Sequence, residues 1–498
     1  MKQQWLIVLS VVMVVGYFLY EPVMEYFCTD DTLLVAESLT PAPAASAPVS
    51  LATDGLELTL SPQGGRIVSA RLKEFQDDEG QPVELIAGLL ATRSGLRIEF
   101  PGLAVQPDEQ LYRQEAGDKA IRFAGEAADG LLVEKAYQAA GRYGIDFQVR
   151  LTNTGAAPLA FPAGYRLMPF YGIRPTGLKS SEYLRAVWLG EDQAATESEK
   201  AKKIKEPMVS ATGVAWAAVE NRYFAQIVAP LDGADTVAFH PLGQGQVYAV
   251  LAAPPFTLAP GQAMERSYLL YLGPQTEAAL AAHGRGLEKL LDYGTFDLLA
   301  RGVLVALRWL HRFVANYGFC IILLTVGLRL LLFPLAHHNL RSLRVMPRLL
   351  EQIHTIEDEP GTPHEEAAVR LKPLRRQYVR ALLGSFLPLA IQIPIFFALY
   401  QALDSSLELR KAAFLFWVKD LSVMDPFFIL PMLMGLAMIL QQRLTAVSPQ
   451  SDRTWIWMPV GFALLFAFFP AGLVLFWLTD TLFSVGQLAW ITARAEAV

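Results

Sequence analysis

The sequence predicts a polytopic α-helical membrane protein that carries a large all-β domain. Three observations lead there. The 498 residues are 53% apolar with a mean hydropathy of +0.30, more than a water-soluble chain needs and less than one built of spans alone. Between residues 53 and 275 apolar and polar residues alternate with period two, the signature of half-buried strands. From Thr276 the period becomes helical, and five long apolar segments follow.

The chain opens with "MKQQWLIVLSVVMVVGYFLYEP": one lysine, an apolar run from Trp5 to Tyr20, and no small-residue cleavage site close behind. This reads as an uncleaved anchor over residues 1–22 with its N-terminus in the cytoplasm. Residues 23–52 are taken as a linker, because the Pro, Ala and Ser of "PAPAASAPVS" cannot bury enough surface to fold. Within 53–275, Leu56, Leu58 and Leu60 alternate with Glu57 and Thr59. Ile145, Phe147, Val149 and Leu151 alternate before the turn "NTG". Gly and Pro punctuate at short intervals, as in "SPQGG" and "APPFTLAPGQ", so a β-sandwich is expected.

Residues 276–316 read as a helical connector. "TEAALAAHGRGLEKLLDYG" suggests a short helix. "TFDLLARGVLVALRWLHRFVANYG" suggests an amphipathic one with Arg301, Arg308 and Arg312 on one face, suited to the membrane interface; packing on the β domain is the alternative. Residues 317–498 form the helical core, with apolar segments near 317–335, 385–403, 426–441, 455–470 and 473–491, the last two separated by the hairpin "PAG". Some are shorter than the ~20 residues a perpendicular helix needs, which implies local thinning of the bilayer.

Arginine and lysine set the orientation. Arg341, Arg344, Arg348, Arg370, Lys372, Arg375, Arg376 and Arg380 crowd the segment from His337 to Gly384, whereas the loop from Asp404 to Asp425 holds only Arg410, Lys411 and Lys419. The first is therefore cytoplasmic, and with an N-in anchor the β domain is outside and six spans close the count. The cytoplasmic segment, 337–384, is expected to be a helical hairpin. Met346, Leu349, Leu350, Ile353 and Ile356 have helical spacing, Thr362, Pro363 and Glu365 form a helix start, and "EDEPGTP" is the turn.

Catalytic signals are absent: no HExxH, GxSxG, P-loop or dinucleotide fingerprint occurs. His337, His338, His354 and His364 sit near one another in sequence, but a metal site needs fixed geometry and supporting acids, and a solvated, headgroup-facing role is the expected one; Cys28 and Cys320 make no disulfide framework. No enzyme activity, cofactor, metal or nucleic-acid partner is expected. The informative residues are polar ones at membrane depth. Arg329 lies about ten residues into its span, roughly 15 Å at the helical rise, where a charge costs at least ~2.5 kcal/mol. Snorkelling toward the cytoplasm and facing a polar cavity are both compatible with that position. Thr325 stands four residues earlier on the same face, and Gln392 and Asp480 lie at comparable depths, which favours a shared cavity in which Asp480 meets Arg329 directly or through water. "FFILPMLMGLAMIL" and "WIWMPVGFALLFAFFPAGLVLFW" are dense in Met and Phe, which adapt to varied apolar partners.

At this point the residues resemble a known family. "NYGFCIILLTVGLRLLLFPL", "LPLAIQIPIFFALYQAL", "ELRKAAFLFWVKDLSVMDPFFILPMLMG" and "FPAGLVLFWLTDTLFSVGQ" look like the core of the Oxa/Alb/YidC membrane protein insertases, and "LSPQGGRIVSARL", "VENRYFAQIVAP" and "YLGP" resemble the periplasmic domain of Gram-negative members. The resemblance implies a periplasmic β-supersandwich, an interfacial helix and a five-helix core. A hydrophilic groove would take a client's polar segment partway into the membrane. Arg329 matches the groove arginine, Thr325 its neighbour, and Phe476 with Trp477 the aromatic pair that contacts substrate; Phe396 and Met432 join them as apolar candidates. Implied partners are nascent membrane proteins, the lipid bilayer and Sec translocon components. Two departures stand out: "VRALLGS" replaces an "NPLGG"-like stretch, and Asp480 stands where the family usually has Ser or Asn. The ending "ARAEAV" lacks a long basic tail, which argues against ribosome docking. A small-solute transporter or channel using the same pocket is the alternative, as is, more remotely, a carbohydrate-active β domain using Glu220 and His240.

Overall fold

The computed structural model describes residues 47–496 apart from 78, 87–94, 104–105, 118–119, 128–129, 171, 174–183, 193, 211–212, 234, 244, 334–348, 358–363 and 446–456. The expected anchor, most of the linker, His337, His338 and the Thr362–Pro363 helix start lie outside the described residues. The chain divides into two compact units that meet in sequence at Asp292 and Tyr293.

The first unit is built of antiparallel sheets. Nine strands pair in the order Glu197–Lys200, Arg185–Gly190, Val214–Glu220, Phe224–Pro230, Ala263–Pro274, Gly144–Asn153, Leu131–Ala139, Ala120–Ala127, Arg113–Ala116. Sheets of five, four and two strands complete it. The period-two pattern is realised where it was read: Leu56, Leu58 and Leu60 are buried while Glu57 is exposed, and Ile145, Phe147, Val149 and Leu151 are all buried. Asn153 closes the "NTG" turn, its Oδ1 accepting from the Gly155 amide at 3.0 Å. Strand Phe224–Pro230 is buried at every position, so both faces of the sheet are covered there, as in a sandwich. The first strand, Val49–Ala52, pairs with Leu56–Ser61. The linker therefore ends before Val49 and not at 52: Leu51 alternates inward like the strand it joins.

One strand carries a buried cation. On Leu131–Ala139 the inward positions are Leu131, Val133, Lys135 and Tyr137. The Lys135 Nζ donates to Asp108 Oδ2 at 2.7 Å and to the carbonyls of Gly64 and Leu96 at 2.7 and 2.8 Å. Asp108 also accepts from the Ile98 amide and the Tyr112 hydroxyl. All three ammonium protons thus find acceptors, the condition for burying the charge. Burial pulls the lysine pKa below its ordinary value, against the opposing pull of Asp108.

The connector corrects one expectation. "TEAALAAHGRGLEKLLDYG" is not a single helix: α1 (Glu277–Ala281) stops at Gly284, Arg285 and Gly286, which have φ of 66°, 57° and 71°, and a single 3-10 turn, Leu287–Leu290, follows. Three successive left-handed residues cannot continue a right-handed helix.

The second unit is helical: α2 (Asp297–His311), α3 (Tyr317–Leu331), α4 (His364–Ser405), α5 (Ile429–Thr445), α6 (Trp457–Phe466) and α7 (Ala471–Glu496), with residues 349–357 also helical. α7 packs on α5 and α3, α5 on α6, and α2 on α3 and α4. α2 buries Ala300, Leu304 and Leu307; Ala300 and Leu304 pack on Ala398 and Ala402 of α4. The arginines of α2 are paired: Arg301 with Asp297 and Arg308 with Glu408, both at 2.8 Å. Leu298, Val305, Trp309 and Phe313 are left exposed. On the two arms of the expected hairpin Glu357 and Arg375 are joined at 2.8 Å, and Leu349, Ile353 and Leu371 are buried; the turn between them lies outside the described residues. No break separates its second arm from the following apolar segment, since α4 runs through Pro373, Pro388 and Pro394.

Among the described residues one helix stretch, Ala471–Trp490, is long and apolar enough to cross a membrane by itself. α3 has 15 residues, or about 22 Å at the helical rise, against a hydrocarbon thickness of ~30 Å.

Candidate functional site

α3 starts where Asn316 caps it: its Oδ1 accepts from the amides of Gly318 and Phe319, and its Nδ2 donates to the carbonyls of Ala413 and Phe414. The loop 406–428 is thereby tied to the start of α3. It is also tied to the start of α7, because the amides of Ala471 and Gly472 donate to the carbonyls of Val423 and Leu421 at 2.7 and 3.0 Å. Asp425, wholly buried, accepts from the Leu430 amide at 2.7 Å and the Phe427 amide and Trp417 indole at 3.0 Å. One end of the bundle is closed by these bonds, and α3 and α7 run from it side by side.

Partway along, the two charges meet. Arg329 donates from Nε to Asp480 Oδ1 and from Nη2 to Oδ2, a two-pronged pair. The side chains are 23% and 11% exposed. Of the two arrangements read for Arg329, the structure has the side chain turned to Asp480. Thr325, one turn earlier, is buried, with its hydroxyl donating to the Ile321 carbonyl at 2.7 Å. Gln392 is half-buried on α4.

α7 continues the polar line. Ser484 Oγ donates to the Asp480 carbonyl at 2.9 Å, and Gln487 borders an otherwise apolar recess of ≈ 390 Å³ walled by Phe333, Phe483, Gly486 and Trp490; its buried Nε2 has no hydrogen-bond partner among the described residues. Asp480, Ser484 and Gln487 are spaced i, i+4, i+7, one helix face. Sequence reasoning stopped at Asp480, although this spacing was available to extend it.

The aromatic candidates lie elsewhere than a client-contact surface would put them. Phe476 is 2% exposed and Phe396 8%, both inside the bundle core. Trp477 packs on Phe396 and Phe466 with ring centroids 5.4 and 5.1 Å apart. Helix α7 is surrounded by α3, α4 and α5, so the directions of residues 476 and 477, about 100° apart, both meet neighbours. Met432 does face outward, 64% exposed beside Leu433, Leu436 and Leu440.

In the β unit, Glu220 pairs with Arg185 in the nine-stranded sheet and His240 stacks on Tyr248 in the five-stranded one. They belong to different sheets, and each has its own partner there. Among the described residues no three His, Cys, Asp or Glu side chains are placed to hold a metal ion.

Comparison with known proteins matches this layout in both halves. Residues 48–306 match the family described as the YidC periplasmic domain, and residues 309–497 the family described as 60Kd inner membrane protein. The chain belongs to the YidC family. A relative in Geobacter metallireducens, named membrane protein insertase YidC, is 31% identical over 93% of this chain and 90% of its own length. Relatives of the same name in Syntrophus aciditrophicus and Francisella tularensis subsp. novicida are 30% and 31% identical, covering 91% and 86% of this chain and 88% and 81% of their own. The boundary between the two matched families, at residues 306–309, falls within α2 (Asp297–His311), a short way after the division of the chain into its compact units.

Proposed function

We propose that this chain is a membrane protein insertase of the bacterial inner membrane, working on nascent integral membrane proteins that arrive directly or from the Sec translocon. The observation that carries the reading is the Arg329–Asp480 pair, the start of a polar line between α3 and α7 beside an apolar core cluster. Charged groups at such depth belong to a pathway for something polar, and the outward Met432 face of α5 offers an adaptable apolar surface. A client's polar segment would enter along the line while its apolar span leaves along α5. Burial of that span, at roughly 0.8 kcal/mol per CH₂, drives the step, so neither a nucleotide nor covalent catalysis is called for.

In this reading the N-terminal anchor and the five apolar segments make six spans, both termini and the hairpin of α4 are cytoplasmic, and the β domain is periplasmic. The short helix α3 thins the bilayer where the client crosses. A photo-crosslinking residue at Gln392 or Met432 is expected to capture nascent spans during synthesis, whereas one at Trp457, on the far end of α6, is not. Equal capture at all three positions would contradict the assigned path.

A further inference from the structure

We propose that Asp480 is a specificity-determining residue: it is a resident counter-ion that occupies the carboxylate site of Arg329, so that a client bringing its own carboxylate must displace it. The inference rests on the insertase reading above. The apolar segments 317–335, 385–403, 426–441, 455–470 and 473–491 contain two charged residues in all, Arg329 and Asp480, and they neutralise one another. The pair uses Nε and Nη2 together, the edge of the guanidinium that fits a carboxylate with two parallel bonds. A second carboxylate arriving at this edge finds it filled.

The neighbouring hydroxyls do not compensate. Thr325, Thr479, Thr481 and Ser484 all donate to carbonyls one turn back on their own helices, at 2.7, 2.8, 2.9 and 2.9 Å. Their protons are committed, and what they present to a passing segment is acceptor oxygen. An acidic client therefore gains the arginine only by leaving Asp480 unpaired in a medium that stabilises it poorly. A client whose translocated segment is polar but uncharged displaces nothing. The line thus favours neutral segments over acidic ones.

The test uses the full chain in liposomes and two single-span clients that differ only in the translocated tail, one of Gly and Ser, the other with two Asp added, each scored above protein-free liposomes. The wild type is expected to prefer the neutral tail, and Asp480→Asn to shift the acidic-to-neutral ratio upward by about tenfold, equivalent to about 1.4 kcal/mol. An unchanged ratio in Asp480→Asn overturns the proposal. Because Asp480→Asn leaves a buried guanidinium without its partner, the neutral double variant Arg329→Gln/Asp480→Asn is measured beside it. This variant is expected to lose the wild-type preference; keeping it also overturns the proposal. Failure of the wild type to insert even the neutral client refutes the insertase reading itself, a result distinct from equal insertion of both clients, which refutes only the counter-ion.

Discussion

Arg329 on α3 and Asp480 on α7 form a two-pronged ion pair in which each carboxylate oxygen accepts one guanidinium proton. Removing either partner alone leaves a partly buried charge, at a cost of about 3–5 kcal/mol, whereas removing both leaves none. A double-mutant cycle of Arg329→Gln and Asp480→Asn is therefore expected to show positive coupling, the double variant being more stable than the sum of the singles by at least about 1 kcal/mol. Unfolding of the purified chain in mixed micelles gives the four values; strict additivity would mean that the pair contributes nothing.

At Gly318 the loop 406–428 lies against α3. A Cβ there would lie 2.1 Å from the Phe414 ring, and Phe414 is itself held by the Asn316 bond to its carbonyl. Gly318→Ala is expected to destabilise the bundle by about 1–3 kcal/mol through overpacking, and Phe414→Ala in the same chain to recover part of the loss. The thermal midpoint of the reconstituted protein reads both.

Asp425 serves three donors at once, two backbone amides and the Trp417 indole. Asp425→Ala leaves those donors buried without an acceptor, and a loss of about 2 kcal/mol or more is expected. The accompanying signature is faster proteolysis within 406–428, since that loop is what Asp425 holds to α5.

Lys135 tests the β domain in the same way. Lys135→Met strands the Asp108 carboxylate and two carbonyls in the interior, and should cost about 3–5 kcal/mol. The β-sheet circular dichroism band of the full chain is expected to melt about 10 °C lower, taking about 2–4 °C per kcal/mol for a domain of this size.

Much of this architecture is legible in the sequence because it follows from periodicity. Leu56, Leu58 and Leu60, or Ile145 through Leu151, can be buried together only as strands, and they are. Arg329 and Asp480 were readable as a pair because two isolated opposite charges in apolar segments have few other solutions. What escaped is what depends on contacts distant in the chain. Nothing near Phe476 says that α3, α4 and α5 will surround it, so of the aromatic pair that the family resemblance implies as a contact surface, Phe476 is core and Trp477 is partly buried against it. The order of loop 406–428 comes from Asn316, nearly a hundred residues earlier. The break in the connector was within reach: Gly284 and Gly286 flank Arg285, and glycine at those positions is the residue that tolerates positive φ.

The central claim is that the polar line begun by Arg329 and Asp480 carries client segments into the membrane, and insertion by the purified chain tests it most directly. Reconstituted in liposomes with a small two-span client resembling a phage coat protein, the wild type is expected to protect the client's translocated loop from external protease well above protein-free liposomes, and Arg329→Ala to lower that protection severalfold. Protection by the wild type no greater than that of empty liposomes would contradict the account.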